Sequence, residues 1–378
     1  MIYLDEAASA PPRPEVLEAM WPHLTSRFAN PASQHDPGLE SADALQQARR
    51  RVAEHLGARA AEIIFTSGGT ESDNAAVKGI ALAAPRGQHV LISATEHPAV
   101  LESAGWLARF GFEVEQIPVD AHGVVTPEAL AELLRPNTTL VSVQCANGEV
   151  GTVQQIPALS AVAARHGVPF HTDAVQAAGA VHFGGSGRLH VEDLGVQALS
   201  LAGHKLGTPK GVGVLYLRRR TPFEPLVHGG GQQRGHRSGT ENTAGAVGMA
   251  AALDLAAGDD TVAWGRRRDE FIAAVEQSVP GARLTGHRSQ RLPGHASFVF
   301  EGRSGESMLL DLQRHGVICS SGSACAAGSS EPSPVLAAMG YSADQAQGAV
   351  RFTFGPQTSE QDLHHAAEVL STAAQPVG

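Results

Sequence analysis

The sequence predicts an α/β protein: a mainly parallel, seven-stranded central sheet between helices, with a smaller α+β domain beside it. Three observations predict it. Seven short apolar runs alternate with helical stretches between residues 62 and 257, the signature of βαβ units. The alternation ends at Gly258-Asp259-Asp260, and helix and strand signals follow in a different order. The 378 residues are 42% hydrophobic and 17% charged, enough apolar matter for a large core.

The elements follow in order. Residues 39–56 form an Ala-rich amphipathic helix. The strand signals are 62–66 (EIIFT), 89–93 (HVLIS), 113–119, 139–144 (TLVSVQ), 168–172 (VPFHT), 198–201 and 213–217. Helical stretches at 98–110, 126–134 and 156–166 separate them, and a long Ala-rich helix spans about 243–257. Beyond it come a helix at 264–278, a strand at 295–300, a helix at 305–315 and a Gly/Ser-rich loop at 319–331. A strand at 348–354 and a helix at 359–373 close the chain. The expected division is a large domain of residues 14–257 and a small one of residues 1–13 with 258–378.

Composition excludes several classes of function. A net charge of −10 argues against a general nucleic-acid or anionic-membrane binder. There is no run of about 18 apolar residues to span a membrane. MIYLDEAASAPP lacks the basic and apolar regions of a signal peptide. Three cysteines are no disulfide framework. The expectation is a soluble cytoplasmic protein with reduced thiols.

Lysine and cysteine are scarce enough to narrow the chemistry. Of 28 basic residues only Lys78, Lys205 and Lys210 are lysines, and the thiols are Cys145, Cys319 and Cys325. Lys205 follows an apolar strand and precedes a Gly/Pro-rich turn, so its amine stands at a strand's carboxyl end. In an open α/β sheet that edge is where ligands bind, and a desolvated lysine there can form a Schiff base. Asp173 closes the strand at 168–172 and could hold a pyridinium nitrogen protonated. Thr66-Ser67-Gly68-Gly69-Thr70 is a strand, a glycine turn and a helix opening, the form of a phosphate cradle. It is no Walker A loop, because no Lys-Ser/Thr follows the glycines. Each feature alone has an ordinary explanation: a turn lysine, an N-cap aspartate, a common βα turn. Together in one sheet they describe a site for pyridoxal 5'-phosphate (PLP). Cys325 lies among small residues in CSSGSACAAG, a candidate nucleophile. Its spacing from Cys319 suits no zinc knuckle, and no metal is expected. Cys145 follows an apolar strand and reads as core.

The motifs, in chain order, resemble the cysteine desulfurases of the class V aminotransferase superfamily, PLP enzymes of fold type I. Tyr3-Leu4-Asp5, Phe28-Ala29-Asn30-Pro31, TSGGTESDN, Thr95-Glu96-His97, NGEVGT, HTDAVQ, GHK, Arg237-Ser238-Gly239-Thr240, SSGSAC and Val350-Arg351-Phe352 carry it over the whole chain. The long SSGSACAAGSSEPS loop is similar to the NifS/IscS type. The resemblance implies a transferase that converts L-cysteine to L-alanine and leaves a persulfide on Cys325. It implies that Lys205 holds PLP and shuttles protons, that Asp173 pairs with the ring nitrogen, and that Gln176 bonds the phenolic oxygen. His97 stacks on the ring and serves in acid–base steps. Gly69, Thr70, His204 and, as a substitute, Ser200 hold the phosphate, with Thr240 reaching across a homodimer. Asn30 and Arg351 bind the substrate carboxylate. A sulfur-acceptor protein is the implied partner, in iron–sulfur cluster assembly or a tRNA or thio-cofactor pathway, with no direct nucleic acid and no membrane. The alternative is a selenocysteine lyase or another class V PLP enzyme. Four positions depart from the family pattern: Gly148 stands in place of an asparagine, Ala202 in place of a serine, Glu6 follows Asp5, and Thr208 precedes Pro209.

Overall fold

A computed structural model describes every residue except 84–85, 182, 184–188, 322–331 and 375–378. The described strands are β1 (Ile2–Tyr3), β2 (Ile63–Thr66), β3 (His89–Ser93), β4 (Glu113–Ile117), β5 (Thr138–Ser142), β6 (Phe170–Asp173), β7 (Ala198–Ala202), β8 (Gly213–Leu217), β9 (Ala282–Leu284), β10 (His295–Phe300), β11 (Val317–Ile318) and β12 (Ala349–Thr353). Seven of them form one sheet in the order β2-β8-β7-β6-β5-β3-β4. Only β8 runs against its neighbours, antiparallel to both β7 and β2. The carboxyl ends of β2, β3, β5, β6 and β7 therefore share one edge.

Six of the seven strands are buried throughout, which explains why most of them read as apolar runs, whereas the edge strand β4 is partly exposed. Side chains alternate between two cores. Ile63, Phe65, Leu91, Val141, Leu199, Leu201 and Val214 enter one core, along with residues of the helices Asp36–Leu56, Ile156–Arg165 and Thr243–Ala256. Ile64, Val90, Ile92, Leu140, Ala198 and Leu215 enter the other, with the helices Gly69–Ala83 and Pro98–Leu107. Local chemistry sets the ends of these helices. His35 accepts from the Gly38 N–H at the start of the helix Asp36–Leu56, and Gly57 ends it with φ +60°. Thr126 caps Pro127–Leu133 by accepting from the Ala129 N–H at 3.1 Å.

A second sheet, β12-β10-β9, is antiparallel throughout. Phe298, Phe300, Val350 and Phe352 pack in one cluster with Phe271 and Val275 of the helix Thr261–Ser278, Met308 and Leu312, and Leu363 and Leu370. β1 pairs with β11 in parallel, and Leu4 packs into this same cluster. The sequence did not announce β1, β9 or β11, because two- and three-residue strands carry no measurable periodicity, and the 12-residue helix Pro14–Thr25 was also missed. β6 starts two residues later than expected and ends one later, which makes Asp173 its last residue. Among the described residues no helix is long and apolar enough to cross a membrane.

Candidate active site

The shared sheet edge gathers the expected residues from separate parts of the chain. β7 ends in the turn Gly203–Lys205. The Lys205 Nζ donates to the carbonyl of Ala7 and, at 2.8 Å, to that of Ala8. Gln176 Nε2 donates to the same Ala7 oxygen at 3.0 Å. On β6, Asp173 is almost wholly buried and accepts from the Val175 N–H at 2.8 Å. Burial pushes its carboxyl up, while that N–H and the charges of His97 and Lys205 pull it back down.

β2 feeds the turn into the helix Gly69–Ala83. The first N–H groups of a helix lack intrahelical acceptors and suit an anion. A Cβ at position 69 would lie 2.8 Å from Val175 Cγ2, so a larger residue there needs that valine to shift. A Cβ on Gly213 would meet the Gly68 backbone at 2.5 Å, so two glycines let the β2 turn close onto β8. Thr70 is exposed. Glu71 takes the Ser67 N–H at 2.9 Å and the Arg237 guanidinium at 2.8 Å, tying this turn to the segment that carries the exposed Thr240. His204 is pushed down to about 4 by burial and by Lys205 and Lys210, so it is neutral near pH 7. His97 caps the helix Pro98–Leu107, its Nδ1 accepting from the Ala99 N–H at 3.1 Å. That bond leaves the ring proton on Nε2 when the imidazole is neutral.

Arg351 lies on β12 and is buried. Its Nη2 meets Asp5 Oδ1 at 2.8 Å, its Nη1 donates to the Gly148 carbonyl at 3.0 Å, and its Nε has no hydrogen-bond partner among the described residues. Position 148 has no room for a larger residue while Gln176 keeps this pose, because a Cβ there would lie 2.8 Å from Gln176 Nε2. Asn147 does not replace the missing side chain. It donates to the Thr95 carbonyl and accepts from the Glu149 and Val150 N–H groups, so it is spent on its own turn.

Three expected residues stand apart. Asn30 is exposed, its side chain accepting from the Ala32 N–H at 2.9 Å, and no hydrogen bond among the described residues joins it to Arg351. Ser200 is wholly buried under the helix Gly69–Ala83, sharing a proton with His171 Nε2 at 3.0 Å rather than facing the glycine turn. Cys325 lies outside the described residues. The chain on either side of it is anchored near Arg351. Ser320 and Arg351 exchange two backbone bonds, at 2.7 and 3.2 Å, and the Ser333 hydroxyl donates to Glu149. Burial pushes Glu149 up to about 7. Cys319 is pushed up to about 12, chiefly by burial, and buried Cys145 is raised strongly for the same reason.

Several polar residues at this edge escaped the sequence reading: Asp73, Glu96, Ser142 and His171. Only His171 carried a signal, since two residues before Asp173 on one strand puts both on the same face.

The residues present fit PLP. A lysine amine, a buried carboxylate and a glycine-opened helix converge on one edge, and Gly69 leaves the approach to that helix clear of a β-carbon.

A family model described as aminotransferase class V matches residues 2–365. The chain is 45% identical to the cysteine desulfurase IscS of Dictyoglomus turgidum, over 98% of this chain and 93% of that one. Among solved structures, a NifS-like protein superposes with a TM-score of 0.90 at 32% identity, covering 98% of each chain. A structure described as SspA in complex with cysteine superposes with a TM-score of 0.84 at 34% identity, over 95% of this chain and 100% of that one.

Proposed function

The chain belongs to the class V aminotransferase family, and on that footing we propose that it is a PLP-dependent cysteine desulfurase. It converts L-cysteine to L-alanine and retains the sulfur as a persulfide on Cys325. One observation carries this reading: Lys205, Asp173 and the helix opening at Gly69 converge on a single sheet edge. They do so in a chain 45% identical to a named cysteine desulfurase.

Bound at this edge, PLP supplies an electron sink for the negative charge left on the substrate as its sulfur departs. The protein's residues do the rest. Lys205 holds the cofactor and moves protons at the substrate α-carbon. Asp173 keeps the ring nitrogen protonated, and Gln176 turns its amide to the phenolic oxygen. His97 would lie against the ring, with its Nε2 proton available for transfer. The N–H groups of Gly69 and Thr70, together with His204 as a neutral donor, hold the phosphate, and Thr240 reaches it from a second copy of the chain. Ser200, turned to His171, supports Asp173 instead. Arg351 and Asn30 bind the substrate carboxylate.

The Cys325 thiolate attacks the substrate sulfur. The substrate Cβ–S bond breaks, an S–S bond forms on Cys325, and the carbon fragment takes up a proton to become alanine. The state of the other thiols supports this assignment, because a thiolate is the nucleophile and both Cys145 and Cys319 are raised far from neutrality. The protein works in the cytoplasm as a homodimer and passes sulfur to an acceptor protein. Residues 14–257 form its cofactor domain, and residues 1–13 with 258–378 form the domain that carries the cysteine loop. The named relatives are cysteine desulfurases, so the lyase alternative is carried no further.

L-Cysteine given to wild type and to Cys325→Ala tests the reading. Wild type forms alanine and the variant almost none, although both show the visible band of bound PLP. Equal alanine from the two proteins refutes the persulfide role.

A further inference from the structure

We propose that Asp73 is a positioning residue for the cofactor site. As a neutral carboxylic acid it donates to Ser200, Ser200 donates to His171, and His171 donates to Ser142. Asp173 is thereby left as the one anionic carboxylate of a buried cluster. The inference rests on the PLP reading above.

The cluster is built of groups that water does not reach. Asp73, in the second turn of the helix Gly69–Ala83, is 1% exposed. Its Oδ1 has no hydrogen-bond partner among the described residues and lies 3.7 Å from His171 Nε2. Glu96 is 2% exposed; its Oε1 accepts from the Gln144 N–H at 2.6 Å and its Oε2 has no hydrogen-bond partner among the described residues. Among the described residues neither acid forms an ion pair with a lysine or arginine. Two residues before Asp173 on β6, His171 is wholly buried. Its Nδ1 lies 2.8 Å from Ser142 Oγ and its Nε2 lies 3.0 Å from Ser200 Oγ. Ser200 is the cross-strand partner of Asp173 on β7, and its side chain also lies against Asp73.

Three carboxyl groups this deeply buried cannot all ionise, because each charge loses its hydration and repels the others. The question is which of them keeps the charge. Asp173 has a backbone N–H and the positive charges of His97 and Lys205 to favour it. Asp73 has Ser200 alone, and Asp173 and Glu96 both oppose its ionisation. Glu96 has one N–H and is opposed by Asp173. The charge therefore settles on Asp173, and a pyridinium opposite would hold it there. Asp173 also opposes ionisation of Cys145, the remaining titratable neighbour. His171, pushed down to about 3 by burial, is neutral and exists as a single tautomer set by its partners.

The two charge states of Asp73 predict opposite tautomers. A neutral Asp73 gives its proton to Ser200 Oγ, the Ser200 proton points at Nε2, and the ring proton sits on Nδ1. An anionic Asp73 takes the Ser200 proton, and the ring must then donate through Nε2.

The test is nitrogen NMR of selectively labelled histidine, on wild-type protein with and without PLP, with His171 assigned from His171→Gln. The expected result is a proton on Nδ1 and a bare Nε2, unchanged between about pH 6 and pH 9. Infrared spectra at about pH 8 should also show protonated-carboxyl absorption, of which Asp73→Asn removes one component and leaves that of Glu96. Asp73→Asn, which keeps a neutral donor, should bind PLP within about threefold of wild type, whereas Asp173→Asn weakens it by about tenfold or more. A proton on Nε2, or protonated-carboxyl absorption that Asp73→Asn leaves unchanged, overturns the proposal. If Asp73→Asn fails to fold, the wild-type tautomer still decides. The NMR result on PLP-free protein is independent of catalysis, so its failure is separable from failure of the alanine assay.

Discussion

Arg351 reaches across 346 residues of sequence to hold Asp5, Nη2 to Oδ1 at 2.8 Å. The guanidinium assigned to the substrate carboxylate is thus already oriented by an acid. Its second nitrogen is fixed by the Gly148 carbonyl. A charge-assisted hydrogen bond of this kind contributes about 1.5–3 kcal/mol. Asp5→Asn should therefore raise the KM for L-cysteine by about tenfold and change kcat much less, since about 1.4 kcal/mol is one decade. Steady-state kinetics decide it, and an unchanged KM would remove Asp5 from the site.

Glu149 gives a pH-dependent stability with a definite sign. Its folded carboxyl is raised from 4.5 to about 7, chiefly by burial. The folded state then binds more protons than the unfolded one between those values, so this group's contribution is full below about 4.5 and lost as pH rises through about 7. Glu149→Gln can still accept from Ser333 but never ionises. Relative to wild type, the variant should gain about 1–3 kcal/mol between pH 5 and pH 8. Melting curves at the two pH values measure the difference. A gap that stays constant or narrows contradicts the assignment.

The glycine turn separates two neighbouring positions. Gly69→Ala places a methyl 2.8 Å from Val175 Cγ2, whereas a Cβ on Gly68 has nothing within 4 Å. Overpacking at such a contact costs about 1–3 kcal/mol. Gly69→Ala should weaken PLP binding by about tenfold or more, and Gly68→Ala by clearly less. Fluorescence titration of PLP into the two variants reads this directly. Equal losses would mean that the space over Val175 is not what the cofactor needs.

Thiol reactivity should follow burial. Cys319, pushed up to about 12, and the deeply buried Cys145 should resist alkylation near neutral pH. Brief iodoacetamide treatment followed by peptide mass spectrometry should find the label on Cys325. Cys319→Ala should keep most of the alanine-forming activity, and its loss would make Cys319 more than a bystander.

Much of this protein was legible in the sequence because the signals are local. Most strands of the large sheet are apolar runs, and the motifs assigned to the proposed site sit at their carboxyl ends, where a βαβ chain must turn. Lys205, Asp173 and the turn at Gly69 could be placed on one edge from their positions after strands alone. Scarcity sharpened the assignment, since few lysines and cysteines compete for the roles. The reversed direction of β8 and the parallel pairing of Ile2–Tyr3 with Val317–Ile318 could not be read that way. They depend on contacts between distant segments, which leave no periodicity in either one.

The same holds for the side chains that tune the site. Asp73 and Glu96 look like ordinary helix-start acids, and nothing in their neighbours says that both are buried beside Asp173. Asp5 and Arg351 are near opposite ends of the chain. The sequence by itself determined which chemical groups the site contains. Only the tertiary structure decided which are stripped of water and set against one another, because burial and Coulomb interaction depend on distance in space rather than on separation along the chain.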